Sequence, residues 1–249
     1  SLLTGSVSQK LSGGYTQSDG GTKNSDFKRR RAYYTGSYTS RYADLVWQAG
    51  LSSQDYGAST FYSAKFDNQW EATRRIITSA QADIKPFGDE RLVITPQAYW
   101  HRDVDHYQLT RGKEGAKNGE NYHRTDVYGA SLNAHATWLL GKTAVGMDIR
   151  KEHILSTAYG DLLPENEWKD IHGTDRRYDH RGDRTNTSLF LEHNVILGGF
   201  TLSAGVLANR NTGLDGDFRF YPGVDLSYRP NEMWKFYASW NKALRVPTY

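Results

Sequence analysis

The sequence predicts an all-β chain, an antiparallel up-and-down transmembrane β-barrel wall of about eleven strands. Three observations predict it. Apolar and polar residues alternate with period two from end to end, and helical periodicity is hard to find. Tight turns and long polar loops follow one another along the chain without exception. Aromatic residues on the apolar faces gather within a few residues of the tight turns. A sheet with tight hairpins at one end and long loops at the other has two chemically different sides, as membrane barrels do.

The strands centre near residues 10, 35, 48, 78, 98, 130, 148, 190, 204, 223 and 239. Leu45, Trp47, Ala49 and Leu51 form one apolar face against Val46, Gln48, Gly50 and Ser52. Leu92, Ile94, Pro96, Ala98 and Trp100 form the next, opposed by Val93, Thr95, Gln97, Tyr99 and His101. Tyr128 to Trp138 and Phe200 to Ala208 repeat the pattern on even numbers, and Phe218 to Tyr228 gives it most cleanly. Trp234, Phe236, Ala238 and Trp240 open a last strand, after which Arg245, Pro247 and Tyr249 read as the start of an unfinished loop. Tight turns are expected at 41–44, 86–90, 139–142, 197–199 and 229–232. Long loops are expected around 18–27, 55–70, 108–122, 159–183 and 211–217. Trp47, Trp138, Tyr228 and Trp234 then form an interfacial girdle on the tight-turn side. A soluble β-sandwich would alternate similarly but has no need to collect its aromatics at one end. Single-chain bacterial barrels have even strand numbers, so eleven strands read as a fragment.

Composition excludes several classes. With 17 Tyr, 7 Trp and 9 Phe the chain is too aromatic to be a disordered polar segment, although its mean hydropathy is −0.73. A net charge of +3 gives no electrostatic case for nucleic acid. Cysteine is absent, which removes disulfides, thiolate metal sites and a Cys nucleophile. No apolar run is long enough for a spanning helix, which leaves barrel strands open. Gly141–Thr143 reads "GKT", but the first glycine of a phosphate-binding loop would fall on Ala136 and no helix follows. Neither H-E-x-x-H nor G-x-S-x-G occurs, so no enzyme is expected.

Four polar or aromatic groups stand out. In "HRDVDH", alternation puts His101, Asp103 and Asp105 on the lumen face, either as ligands for a divalent ion or as hydration of a polar interior. Asp19, Asn24 and Asp26 make the first long loop rich in oxygen, which suits calcium and equally suits Asx turns. Lys28–Arg31 begins the second strand on the long-loop side, where it either contacts lipopolysaccharide phosphates or forms a solvated rim. Tyr56, Phe61, Tyr62, Trp70, Tyr107, Tyr122, Trp168 and Tyr178 are read as loop aromatics, whose exposed apolar area calls for a cover: one another, a partner or a bulky ligand.

"SDGGTKNSDFKRR", "DYGASTFYSAKFDNQWEATRR" and "YASWNKALRVPTY" resemble segments of TonB-dependent outer-membrane receptors, especially the cobalamin-type receptors of gut Bacteroidetes. The resemblance implies strands three to thirteen of a barrel of about 22, with the lumen-filling plug and its TonB-box segment outside these residues. It implies an outer-membrane location and energy-coupled uptake of a scarce nutrient, with TonB engaged through the plug and a surface lipoprotein as a further partner. It makes cobalamin or a related corrinoid the expected ligand and calcium a relevant structural ion for the first loop. Tyr56, Phe61, Tyr62, Tyr107 and Tyr122 would then supply flat contacts, while Asn68 and Gln69 would bond the ligand's amides. A ferric siderophore or haem receptor is the alternative, and a structural or adhesive barrel without transport is the competing class.

Overall fold

The computed structural model describes residues 2–243. Its main body is one antiparallel meander in which strands pair in chain order. A short β1 (Leu2–Thr4) leads into β2 (Val7–Ser18), β3 (Phe27–Thr39), β4 (Ala43–Ser59), β5 (Gln69–Ile84) and β6 (Leu92–Gln108). Then come β7 (Glu120–Trp138), β8 (Gly141–Ser156) and the two-residue strands β9 (Asp161–Leu162), β10 (Lys169–Asp170) and β11 (Arg177–Tyr178). The wall resumes with β12 (His180–Leu197), β13 (Phe200–Asn211), β14 (Arg219–Tyr228) and β15 (Phe236–Asn241). Eleven long strands lie where the alternation puts them, and helix is limited to two short 3₁₀ turns among the described residues. The expected loop at Arg245, Pro247 and Tyr249 lies outside the described residues.

Register settles which side chains share a face, because paired residues of neighbouring antiparallel strands point the same way. Leu45 pairs with Tyr38 and Ala82, Leu132 with Pro96 and Met147, and Leu191 with Val145 and Val206. One face of the wall is therefore a continuous apolar band whose large side chains, such as Leu51, Leu132, Leu191 and Phe220, lie open. Such a band is stable only against lipid, and main-chain bonding from strand to strand removes the unpaired groups that lipid would not tolerate. The opposite face carries Gln48, Arg75, Gln97, Asp103, Asp148 and Glu192, the polar lining of a lumen. At the tight-turn end Trp47 lies across Gly36 of β3, where any Cβ would meet its indole ring. Trp138 and Trp234 are exposed there, and Phe200 and Tyr228 stack at 4.1 Å.

The connections alternate in length as expected, but the strands run further on the long-loop side. Tyr56, Trp70, Tyr107 and Tyr122 lie in β4, β5, β6 and β7, not in loops, while Tyr178 lies in the two-residue β11 within the long connection from β8 to β12. The ladder between β5, β6 and β7 continues unbroken to Trp70–Gln108 and Gln108–Glu120, since main-chain bonding outlasts the apolar band. Polar sequence above the band marks the exit from lipid, not the end of pairing.

With the long loops outside the cell, a cysteine at Asp170 should react with an impermeant thiol reagent on intact cells, and one at Leu140 in a tight turn should not. Labelling only at 140 would reverse the orientation.

Candidate functional site

At the long-loop end of the lumen face, alternation in β4, β5 and β6 aims Tyr56, Glu71, Asp105 and Tyr107 to one side, since Tyr56 pairs with Glu71 and Glu71 with Tyr107. Tyr62 reaches back from the 60–68 loop, and both Tyr56 and Tyr62 donate their hydroxyls to Glu71 Oε2. The two phenol oxygens are 3.0 Å apart. Tyr62 meets Tyr107 edge to face at 5.4 Å and Phe61 at 4.8 Å, and Phe61 is 79% exposed. The result is an aromatic rim around a nearly buried carboxylate.

This cluster lies above the apolar band, and its protonation follows from burial. Burial, then the bonds to Glu71, push the Tyr56 phenol well above its ordinary range. The same causes, burial first, raise Tyr62 to about 12. Both remain donors at neutral pH. Burial and then the charge of Glu71 push Asp105 upwards, and its buried Oδ1 has no hydrogen-bond partner. Two carboxyls at one site therefore favour a single negative charge. Asp103, two residues below, is neutralised by Arg75 Nε, and His101 Nε2 stands 3.9 Å from it. Among the described residues no group of three or more His, Asp or Glu could hold a metal ion, so the metal reading of "HRDVDH" finds no support.

Gln69 and Asn68 sit beside this rim. Gln69 is fully buried; its Nε2 donates to the carbonyls of Ser59, Ser63 and Phe66 at 3.0, 3.2 and 2.8 Å, and its Oε1 accepts from Tyr107 at 2.6 Å. It shapes the loop that carries Phe61 and Tyr62. Half-buried Asn68 gives its carbonyl to the Arg111 N–H at 2.7 Å. Arg111 also grips Asp26 through both guanidinium nitrogens, at 2.5 and 2.9 Å, and touches Asn24 Oδ1 at 3.1 Å. Asn24, held in the left-handed region at φ 52°, donates its side-chain amide to Gln69 O at 2.5 Å. Of the oxygen-rich trio in the first loop, Asn24 and Asp26 thus already face a cation, and Asp19 is exposed. One guanidinium and one amide join three neighbouring loops.

Tyr122 is on the other face. It pairs with His106, stacks on that ring at 4.0 Å and is buried with Leu155 against Ile171 and Tyr178 of the 157–179 loop. Glu120 holds this second assembly, accepting from Gly115 N–H at 2.6 Å, Tyr122 hydroxyl at 3.0 Å, Gln108 at 3.2 Å and Arg176 at 3.1 Å, with His106 at 2.8 Å. Burial alone would raise its pKa, but the Gly115 N–H and the side-chain donors outweigh burial and hold it at about 2. Glu71, Glu120, Arg111 and Arg176 escape a search for motifs. Parity would have aimed Glu71 inwards, but nothing local marks Arg111, whose partner is 85 residues away.

Gln69→Leu should strand three loop carbonyls, at about 1–3 kcal/mol for each group left unsatisfied. The expected result is faster amide hydrogen exchange over residues 59–66 with the barrel intact. For Glu120, the lowered folded pKa means its contribution is complete above the ordinary glutamate value and is lost only as pH falls towards about 2. Docking of residues 171–178 should therefore persist in mild acid, and Glu120→Gln should release it at neutral pH, both readable by exchange.

The chain matches the family described as TonB dependent receptor-like, beta-barrel, over residues 3–249. No curated protein matches it. Among solved structures it is similar to the ferric citrate transporter FecA in its unliganded form, at 14% identity and a TM-score of 0.70, covering 95% of this chain and 39% of that one. It is similar to a mutant of the ferric enterobactin receptor PfeA of Pseudomonas aeruginosa, at 15% identity and a TM-score of 0.73, covering 98% of this chain and 40% of that one. The copper transporter OprC aligns at 15% identity and a TM-score of 0.71, over 97% of this chain and 41% of that one. The chain spans about two fifths of the length of these proteins. Meander, faces and family match agree: the chain belongs to the TonB-dependent receptor β-barrel family.

Proposed function

We propose that this chain is the ligand-contacting wall of an outer-membrane receptor that captures a scarce nutrient outside the cell and passes it inwards. The barrel supplies the pathway, while a plug elsewhere in the full-length protein, coupled to TonB, supplies the gating. The observation that carries this reading is the Tyr56–Glu71–Tyr62–Tyr107 cluster, set on the lumen face at the long-loop end with Phe61 projecting from it. Open aromatic edges over buried hydrogen-bond acceptors suit a large, partly apolar ligand rimmed with donors.

Cobalamin or a related corrinoid fits that description. Asn68 stands beside the rim to meet the ligand's amides, whereas Gln69 acts by holding the loop in shape. On this reading a surface lipoprotein covers Phe61, and calcium would compete with Arg111 for Asp26 and Asn24. An iron chelate is the second reading, favoured because FecA and PfeA are named for ferric citrate and ferric enterobactin. OprC, named for copper, shows that this architecture alone does not select the cargo. The carboxyl pair opposes an anionic chelate, which tilts the choice towards the corrinoid.

The test is binding of cyanocobalamin and of an anionic ferric chelate to the full-length receptor. The corrinoid should bind, and Phe61→Ala with Tyr62→Ala should weaken it by at least about tenfold, as for lost aromatic anchors. Tight binding of the chelate with none of cyanocobalamin would overturn the corrinoid and leave uptake standing. Binding of neither, with no growth defect in a deletion strain, would favour the structural barrel. The pH dependence separates the two ligands further. Asp105 is held protonated at mildly acidic pH and ionises as pH rises, adding a second negative charge at the mouth. Affinity for an anionic chelate should fall from mildly acidic to mildly alkaline pH, and Asp105→Asn should flatten the fall.

A further inference from the structure

The basic run Lys28–Arg31 is divided by the pleat. Arg29 and Arg31 face the lumen, where Arg29 Nε bonds Gln54 at 2.9 Å. Lys28 and Arg30 face outwards with the apolar band. Arg30 pairs with Ser53 of β4, and Ser53 pairs with Arg74 of β5, so two arginines flank one serine in a row across three strands. The row beneath is Ala32, Leu51 and Ile76, all apolar. Together they line an outward depression of about 400 Å³ with an apolar floor and a cationic upper lip.

These two arginines differ from their neighbours on the same face. Arg102 and Arg124, further round the wall, are both held by Asp126, at 2.7 and 3.4 Å. Among the described residues no carboxylate lies within ion-pair distance of Arg30 or Arg74. Arg30 rests over the exposed Tyr15 ring at 5.8 Å, and the nearest acid by register, Asp55, faces Lys28 one row above. Height matters as much as charge. From Ala43 to Ser53, at ~3.3 Å per residue and ~40° of tilt, β4 climbs roughly 25 Å, the height of an outer-membrane apolar band. The arginines therefore stand where outer-leaflet headgroups begin.

We propose that Arg30, Ser53 and Arg74 form a site for a phosphate of lipopolysaccharide, with its acyl chains lying over Ala32, Leu51 and Ile76. The proposal rests on the outer-membrane placement above but not on the identity of the nutrient. Side chains two strands apart start ~10 Å from each other, a span that lets two guanidiniums bracket one phosphate with charge-assisted bonds. Lys28, directly above, offers a third cation for a second phosphate. A lipid with several phosphates is thereby favoured over a phospholipid with one.

The experiment uses the full-length receptor in detergent, with three probes: bisphosphorylated lipid A, its dephosphorylated form and phosphatidylglycerol. Lipid A should be retained by the native protein and bound at least about tenfold more weakly by Arg30→Gln/Arg74→Gln. Arg41→Gln, in a tight turn at the opposite rim, should bind as the native protein does. Folding is checked by heat-modifiable gel mobility; the single variants, each expected to lose a few-fold, serve if the double variant does not fold. Equal retention by native and substituted protein overturns the site. Equal binding of dephosphorylated lipid A overturns the phosphate contact, and equal binding of phosphatidylglycerol overturns the choice of lipid. None of these outcomes depends on which nutrient the receptor carries.

Discussion

The structure depends on the pairing of main-chain groups between neighbouring strands. Within lipid each N–H and C=O must find a partner in the protein, and between the strands of this wall that partner is the neighbouring strand of the meander. Pairing fixes register, and register fixes faces: a slip of one residue anywhere would turn Leu132, Met147 and Leu189 into the lumen and Asn133 or Asp148 into lipid. The polar face is then free to vary, because its side chains are not needed to hold the strands together. Ligand contacts and lumen charges are built on that face without loss of the barrel.

Above the band the same ladder does different work. It carries Tyr56, Glu71, Asp105 and Tyr107 beyond the membrane on rigid strands, so an aromatic rim is placed by β-structure and only completed by a loop. Loops are held by buried polar groups with several partners each. Gln69 and Arg111 organise the lumen side, and Glu120 organises the outward side, where the 157–179 loop lies against β7 and β8. Polar hubs of this kind fix one loop arrangement because any other would leave a buried charge or amide unpaired. The mouth is thus framed by loops tied to one another and by one loop strapped to the outer surface.

Much of the fold was legible in the sequence because alternation, turn spacing and aromatic position are local. Phe218 to Tyr228 could be read as a two-faced strand without its neighbours, and each of the long strands was found this way. Strand ends are less legible, since polar residues such as Gln69 and Asn121 carry no signal that pairing continues above the band. The aromatic candidates near the mouth were legible as a group, and Tyr56, Tyr62 and Tyr107 do converge. Their placement relative to Tyr122 follows from parity, which assigns Tyr122 to the outward face once β7 is extended to Glu120. What could not be read was contact at a distance: Arg111 reaching Asp26, or Arg74 joining Arg30 across an intervening strand. Those pairings exist only once register is known.

The central claim is that the lumen-facing aromatic and carboxyl cluster is where the nutrient is held. Difference hydrogen exchange on the full-length receptor, with and without saturating ligand, tests it most directly, whether cyanocobalamin or a ferric chelate is the ligand that binds. Slowed exchange is expected in the segments around Tyr56 to Glu71 and Asp105 to Tyr107. Ligand-dependent protection confined to other loops, with those two segments unchanged, would contradict it.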